Sequence, residues 1–198
     1  MRSEARQSAL TEAQAATNVL NNGYSTNYSS ATTAADQAAI SREIGSRMMA
    51  SGSSAVQSLE SGIRQTSWGK NLTKEQMSQV IDTVSAGISA GWSTPEIFRR
   101  IGLSFGAKTA SGTSENDTSQ KGLAINEEDR KALQNTFQTT NSSDLSKARE
   151  AALTETDSRT FLNNAGVSEN SQVGRTVQNA IEKTQNYQKT MSATESLG

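Results

Sequence analysis

The chain contains no histidine and no cysteine in 198 residues, and only one proline. Without histidine it lacks the side chain that most often moves protons near neutral pH and most often ligates transition metals. Without cysteine it has no thiol nucleophile, no thiolate ligand and no disulfide, a composition that fits an oxidising and a reducing compartment equally. Aromatic residues make up 5% and apolar residues 33%. The usual apolar share is about 45–50%, a range that includes glycine. A large core is therefore not expected; alanine-rich helices packing through small side chains are. No stretch approaches the roughly 18 consecutive apolar residues of a membrane-spanning helix. Residues 1–20 also lack the apolar middle of a secretory signal. The 19 basic and 20 acidic residues leave a formal charge of −1. That removes the broad electrostatic attraction nucleic acid or an anionic membrane would require, so neither is expected as a partner.

What is abundant is neutral polarity, with serine, threonine, asparagine and glutamine together supplying about 40% of the chain. Function is to be sought in surfaces and assembly. The polar, helix-like start after Met1 and the end at Leu197 and Gly198 fit a soluble segment cut from a longer protein.

Apolar spacing predicts a mainly α protein. Ala9, Ala13, Ala16 and Leu20 follow the period of one helical face, and Asn21 to Asn27 reads as a break. Ile40, Ile44, Met48, Ala55 and Leu59 then recur at an average near 3.7 residues. This predicts one long helix from about Ala31 to Trp68 with a nearly straight contact stripe. Gly45, Gly52 and Gly62 fall inside it, each costing about 1 kcal/mol against alanine, so either another backbone approaches there or the helix orders only on assembly. Thr73 and Gln76 are spaced as a capping box preceded by Leu72, which starts a helix. Its apolar face is Met77, Val80, Ile81, Val84 and Ile88, and Gly91 is placed to end it. Residues 31–90 thus read as an extended helical hairpin. Ser93-Thr94-Pro95-Glu96 starts another helix, running to Ile101.

Gly102 to Gly122 changes character. Leu103, Phe105 and Ala107 alternate with Ser104, Gly106 and Lys108, which predicts a short β element or extended segment. The Ser/Thr/Gly tract after it, from Thr109 to Gly122, has almost nothing apolar to offset the entropy of ordering and is expected to be mobile. The expected organisation is a helical region over 1–101, a linker over 102–122 and polar helices over 123–198. In the last region Asn126 caps a helix whose first turn carries Glu127, Glu128 and Asp129. Ser142, Ser143 and Asp144 open a helix carrying Leu145, Ala148, Ala152, Phe161 and Leu162 up to Gly166. Val173, Val177, Ala180, Thr184, Tyr187 and Met191 form the seam of the last one.

Catalytic constellations are weak. Glu127, Glu128 and Asp129 are the only dense acidic group, and a first helical turn explains them better than paired acid–base work. Ser104 and Lys108 stand four apart, but a lysine base needs burial that this segment does not promise. The glycines at 102, 106 and 112 lack the Lys-Ser or Lys-Thr of a phosphate loop. Asn27, Asn71 and Asn116 open glycosylation triplets of the kind a chain so rich in these residues produces by chance. No catalytic residue, cofactor or metal ligand is assigned. The group that stands out is Trp92, Phe98, Arg99 and Arg100, since aromatics and arginine dominate binding hot spots and are concentrated here in a chain otherwise short of aromatics. These four are the candidate partner-binding residues, to be weighed against a plain core role for the aromatics.

The segments Thr66-Ser67-Trp68-Gly69-Lys70 and Ile101-Gly102-Leu103-Ser104-Phe105-Gly106-Ala107-Lys108, with the later Ser/Thr/Gln-rich helices, give the chain a pattern that resembles the C-terminal region of the TraG family. These are mating-pair stabilisation proteins of F-type conjugation, a type IV secretion process. The resemblance implies a non-enzymatic, periplasmic interaction region of an inner-membrane-anchored protein, acting in mating-pair stabilisation or entry exclusion. It implies protein partners: an exclusion protein of the recipient inner membrane or other transfer proteins. It transfers no site residue and leaves oligomerisation open. The alternative is a secreted axial, flagellin-like or phage-tail structural protein, whose chains share this composition and would polymerise through terminal helices.

Overall fold

A computed structural model of the chain describes residues 2–22, 31–106 and 123–197. Among these residues are nine α-helices and no strand: α1 (Arg2–Asn22), α2 (Ala31–Ala50), α3 (Ser54–Arg64), α4 (Lys74–Ala90), α5 (Thr94–Gly106), α6 (Glu127–Thr139), α7 (Ser142–Thr154), α8 (Ser158–Ala165) and α9 (Gln172–Leu197), with a 3₁₀ turn at Gly69–Asn71. The fold is mainly α, as composition and spacing predict. None of the described helices is long and apolar enough to cross a membrane. Asn21 and Asn22, expected in the break, belong to α1; the rest of that break, the mobility expected of Thr109 to Gly122, the candidate lysine base Lys108 and the triplets at Asn27 and Asn116 lie outside the described residues.

The local start and stop signals act as their chemistry requires. Thr73 Oγ1 accepts the Gln76 amide at 3.1 Å while Gln76 Oε1 accepts the Thr73 amide at 2.9 Å. Gly91 closes α4 at φ +77°. Asn126 and Asn141 cap α6 and α7, accepting the amides of Asp129 at 2.7 Å and Asp144 at 3.1 Å. Asn141, one residue upstream of the serines, is thus the cap of α7.

Three expectations require correction. Residues 31–68 are two helices and a turn, because the chain reverses at Gly52, whose φ of +80° only glycine adopts cheaply, and restarts under a Ser53 cap. Ile40, Ile44, Met48, Ala55 and Leu59 are nonetheless all buried. The seven-residue interval across the turn preserved the stripe and concealed the break. Residues 142–166 are likewise two helices, since Asp157 accepts the Thr160 amide at 3.0 Å and starts α8 anew. Gly102 to Gly106 continues α5 and forms no β element: a residue added to an existing helix fixes one dihedral pair per hydrogen bond gained, and six residues of alternation do not outweigh that.

One core joins the segments on either side of 102–122. Helix α4 is its axis, buried continuously from Met77 to Gly87, with α2, α5 and α7 packed around it. Ile44, Met48, Met77, Ile81, Leu133 and Phe161 are among the fully enclosed side chains, drawn from α2, α4, α6 and α8. The buried hydroxyls of α4 are satisfied along its own turns: Thr83 Oγ1 donates to the Gln79 carbonyl at 2.8 Å and Ser85 Oγ to that of Asp82 at 2.9 Å. Close approach of α2 to α4 is set by Gly45, where a Cβ would lie 1.9 Å from the Ser78 carbonyl oxygen.

Helix α1 runs antiparallel along α9, with Arg6 Nε 3.1 Å from Met191 Sδ at one end and Glu12 3.5 Å from Lys183 nearer the other. Ala13, Ala16 and Leu20 meet a seam of Val177, Ala180 and Ile181, all buried. Asp82 on α4 and Arg149 on α7 form an ion pair at 2.8 Å with both side chains enclosed. Such a pair does little for net stability but is costly to break from one side.

Candidate functional site

The four candidate residues gather at the corner where α4 turns into α5. The turn is built by Gly91: the Trp92 amide donates back to the Gly87 carbonyl at 2.9 Å and closes the helix end. The Trp92 indole then lies over α4 at Gly87, where a Cβ would come within 2.7 Å of Trp92 Cε3 and of Ile97 Cγ1. Ser93 Oγ accepts the Glu96 amide at 3.3 Å, and α5 begins with Pro95 in its first turn.

From there the spacing of α5 distributes the side chains. Phe98 shares the inward face with Ile97 and Ile101 and is 3% exposed. Its ring meets that of Phe137 at 5.6 Å between centroids, and the Arg130 guanidinium caps it at 5.1 Å. Phe98 therefore roots α5 against α6, and its ring is a core contact. Arg100 lies back over the half-buried Trp92, its guanidinium carbon 3.7 Å from the ring centroid, a stacked cation–π geometry. Arg99 points outward, with its side chain 37% exposed.

Glu96 organises both arginines. Three and four residues before them, its carboxylate faces each across one helical turn. It accepts from Arg99 Nε and Nη2 in a forked arrangement and from Arg100 Nε at 3.2 Å. The Arg99 hydrogen bond holds the Glu96 carboxyl below its usual range, partly opposed by burial and helped by Arg100. The same contact raises Arg99. Burial pushes Arg100 down, with the Glu96 hydrogen bond opposing it. Glu96 stays ionised and the arginines stay protonated at neutral pH, so the corner offers fixed charge and a planar aromatic surface and no proton to exchange. It is suited to binding. The Glu96 role was open to sequence reasoning through its spacing.

The acidic first turn of α6 also has a definite job. Asp129 is buried, and its two oxygens accept the amides of Ser67 and Trp68 at 3.1 and 3.0 Å. It pins the turn after α3 to the start of α6. No sequence signal joins residues 62 positions apart. Among the described residues no group of histidine, cysteine, aspartate and glutamate is placed to hold a metal ion.

Comparison with protein-family models, with curated proteins and with solved structures returns no match to this chain.

Proposed function

We propose that this chain is a helical protein-interaction region of a conjugative transfer protein of the TraG type, working in the periplasm in mating-pair stabilisation or exclusion without catalysing a reaction. The single observation that carries the interaction reading is the corner at Trp92, Arg99 and Arg100. Its cationic planes are already held by Glu96 and its indole is already seated on Gly87. Side chains ordered before a partner arrives lose less rotamer entropy on binding, which turns contact area into affinity more efficiently. Exposed arginine beside a partly exposed tryptophan is also the composition of an interface centre. The transfer-protein reading rests on the sequence resemblance, to which the neutral surface and α-helical fold are compatible.

The deciding experiment removes the chain from the transfer protein of the conjugative element that encodes it. Transfer frequency and exclusion index are then measured in matched donors and recipients. The proposal expects one or both to fall while the element's replication is unchanged. Unaltered transfer and exclusion would sink it, as would concentration-dependent filaments of the purified chain seen by electron microscopy, which the axial-protein reading requires.

A further inference from the structure

Beside the C-terminal end of α4, at Ser89 and Ala90, the helices α1, α4, α7 and α9 surround an open cleft of about 620 Å³. That size lies within the ~300–1,000 Å³ typical of small-molecule sites. Ala13 and Leu153 give it an apolar floor, while Gln14, Asn18 and Tyr187 stand on its walls. Asn21, also in the lining, is only 2% exposed, and among the described residues its side-chain oxygen receives no hydrogen bond. A buried acceptor without a donor costs the molecule its lost hydration, and the cost is recovered when something carrying an O–H or N–H enters.

The lining selects the chemistry of that occupant. Arg149 reaches the cleft, but its guanidinium is bonded to Asp82 at 2.8 Å, so its charge is met inside the protein. Glu150, on the rim, accepts the Gln188 side-chain amide at 2.8 Å. An anionic ligand would find no cation in the lining beyond Arg149, which Asp82 already neutralises. An apolar one would seal Asn21 away from any donor. Side-chain amides present a donor and an acceptor in one plane, matching neighbouring hydroxyl groups that each donate and accept, and the Tyr187 ring offers a flat face to the C–H side of a sugar. We propose that this cleft binds a neutral saccharide, with Asn21, Gln14 and Asn18 as its hydrogen-bonding residues. None of the four corner residues lines the cleft, and the proposal stands or falls independently of the conjugation reading.

The test titrates the whole ¹⁵N-labelled chain with maltotriose, with triacetylchitotriose and with tetraglycine, each to about 10 mM, a range that detects dissociation constants of about a few millimolar and tighter. The side-chain amide signals of Gln14, Asn18 and Asn21 report on the cleft. At least one saccharide should shift them saturably, and Asn21→Leu and Gln14→Ala should each weaken that binding about tenfold. Asn21→Leu should leave the melting temperature unchanged or raised, because it removes an unsatisfied buried oxygen. Should it fail to fold, the exposed Gln14→Ala decides alone. The proposal is overturned if neither saccharide moves these signals, if the shifts survive the variants that fold, or if tetraglycine saturates the site more tightly than either sugar.

Discussion

Replacing Gly45 by alanine sets two magnitudes against each other. In an ordinary helix interior the change stabilises by about 1 kcal/mol, because glycine has more backbone freedom to lose. At this position the new methyl would sit 1.9 Å from the Ser78 carbonyl oxygen, about 1.5 Å short of ordinary van der Waals contact. The obstacle is backbone in the most buried helix, so it cannot rotate aside; α2 and α4 must separate, loosening Ile44, Met48, Met77 and Ile81 together. Overpacking of this kind costs about 1–3 kcal/mol, and a shift of two helices belongs at or above the top of that range. The expected net loss is about 2 kcal/mol, or about 4–8 °C in Tm for a chain of this size. Gly62→Ala is the graded comparison, since the nearest atoms its methyl would meet are both branches of the Thr136 side chain, at 2.5 Å, and not backbone. That clash is relieved by a small shift at the contact of α3 with α6, so it should cost less than Gly45→Ala. Far-UV circular dichroism melts and urea titrations of both variants measure the difference. A Gly45→Ala protein that melts at or above the parent temperature, or no lower than Gly62→Ala, would refute the close approach of α2 to α4.

Other variants probe other links. Thr73→Ala should cost about 1 kcal/mol in urea denaturation through loss of the α4 capping box. Asp129→Asn should cost about 1–3 kcal/mol and speed amide exchange at Ser67 and Trp68, because a charged acceptor of two amides becomes a neutral one. Asp82→Ala should cost about 3–5 kcal/mol, while Asp82→Leu combined with Arg149→Met should recover most of it; equal loss in both would show that packing around the pair, not an uncompensated charge, governs the site. Glu96 has its carboxyl pKa lowered in the folded state, so its contribution is present above the ordinary carboxylate value of 4.5 and lost as pH falls through the lowered folded value. Acid titration of stability should therefore show a smaller drop below pH 4.5 in Glu96→Gln than in the parent, and identical acid limbs would contradict the Glu96 geometry.

What the sequence made legible was local. The capping box at Thr73, the Asn126 cap and the glycine stops at Gly91 and Gly166 each involve groups within a few residues, so composition and order suffice to read them. The breaks at Gly52 and before Asp157 escaped because apolar spacing records which side a residue faces and not whether the helix between is continuous. Asp82 sits directly after Ile81 in the apolar face of α4, and its partner lies 67 positions away, where only tertiary packing brings it. In the candidate site, the grouping of Trp92 with Arg99 and Arg100 was readable because one turn and one helix contain it. The inward direction of Phe98 follows from its place beside Ile97 and three before Ile101. Its contact with Phe137 across the undescribed segment was not readable, since nothing in either segment specifies the other.

The most direct test of the interaction corner compares Arg99→Ala and Trp92→Ala in one pair of assays, thermal melts of the purified chain and transfer plus exclusion in cells carrying the parent element. Among the described residues the hydrogen bonds of Arg99 go to Glu96 on its own helix, so Arg99→Ala should melt within about 1 °C of the parent, as surface changes do. Trp92→Ala, which uncovers Gly87 and Ile97, should melt lower. The account predicts that Arg99→Ala nonetheless loses transfer or exclusion by at least about tenfold, the scale of one hot-spot side chain. An Arg99→Ala protein that is folded and fully functional, beside a Trp92→Ala protein whose loss of function tracks its loss of stability, would show that the corner only holds the fold together.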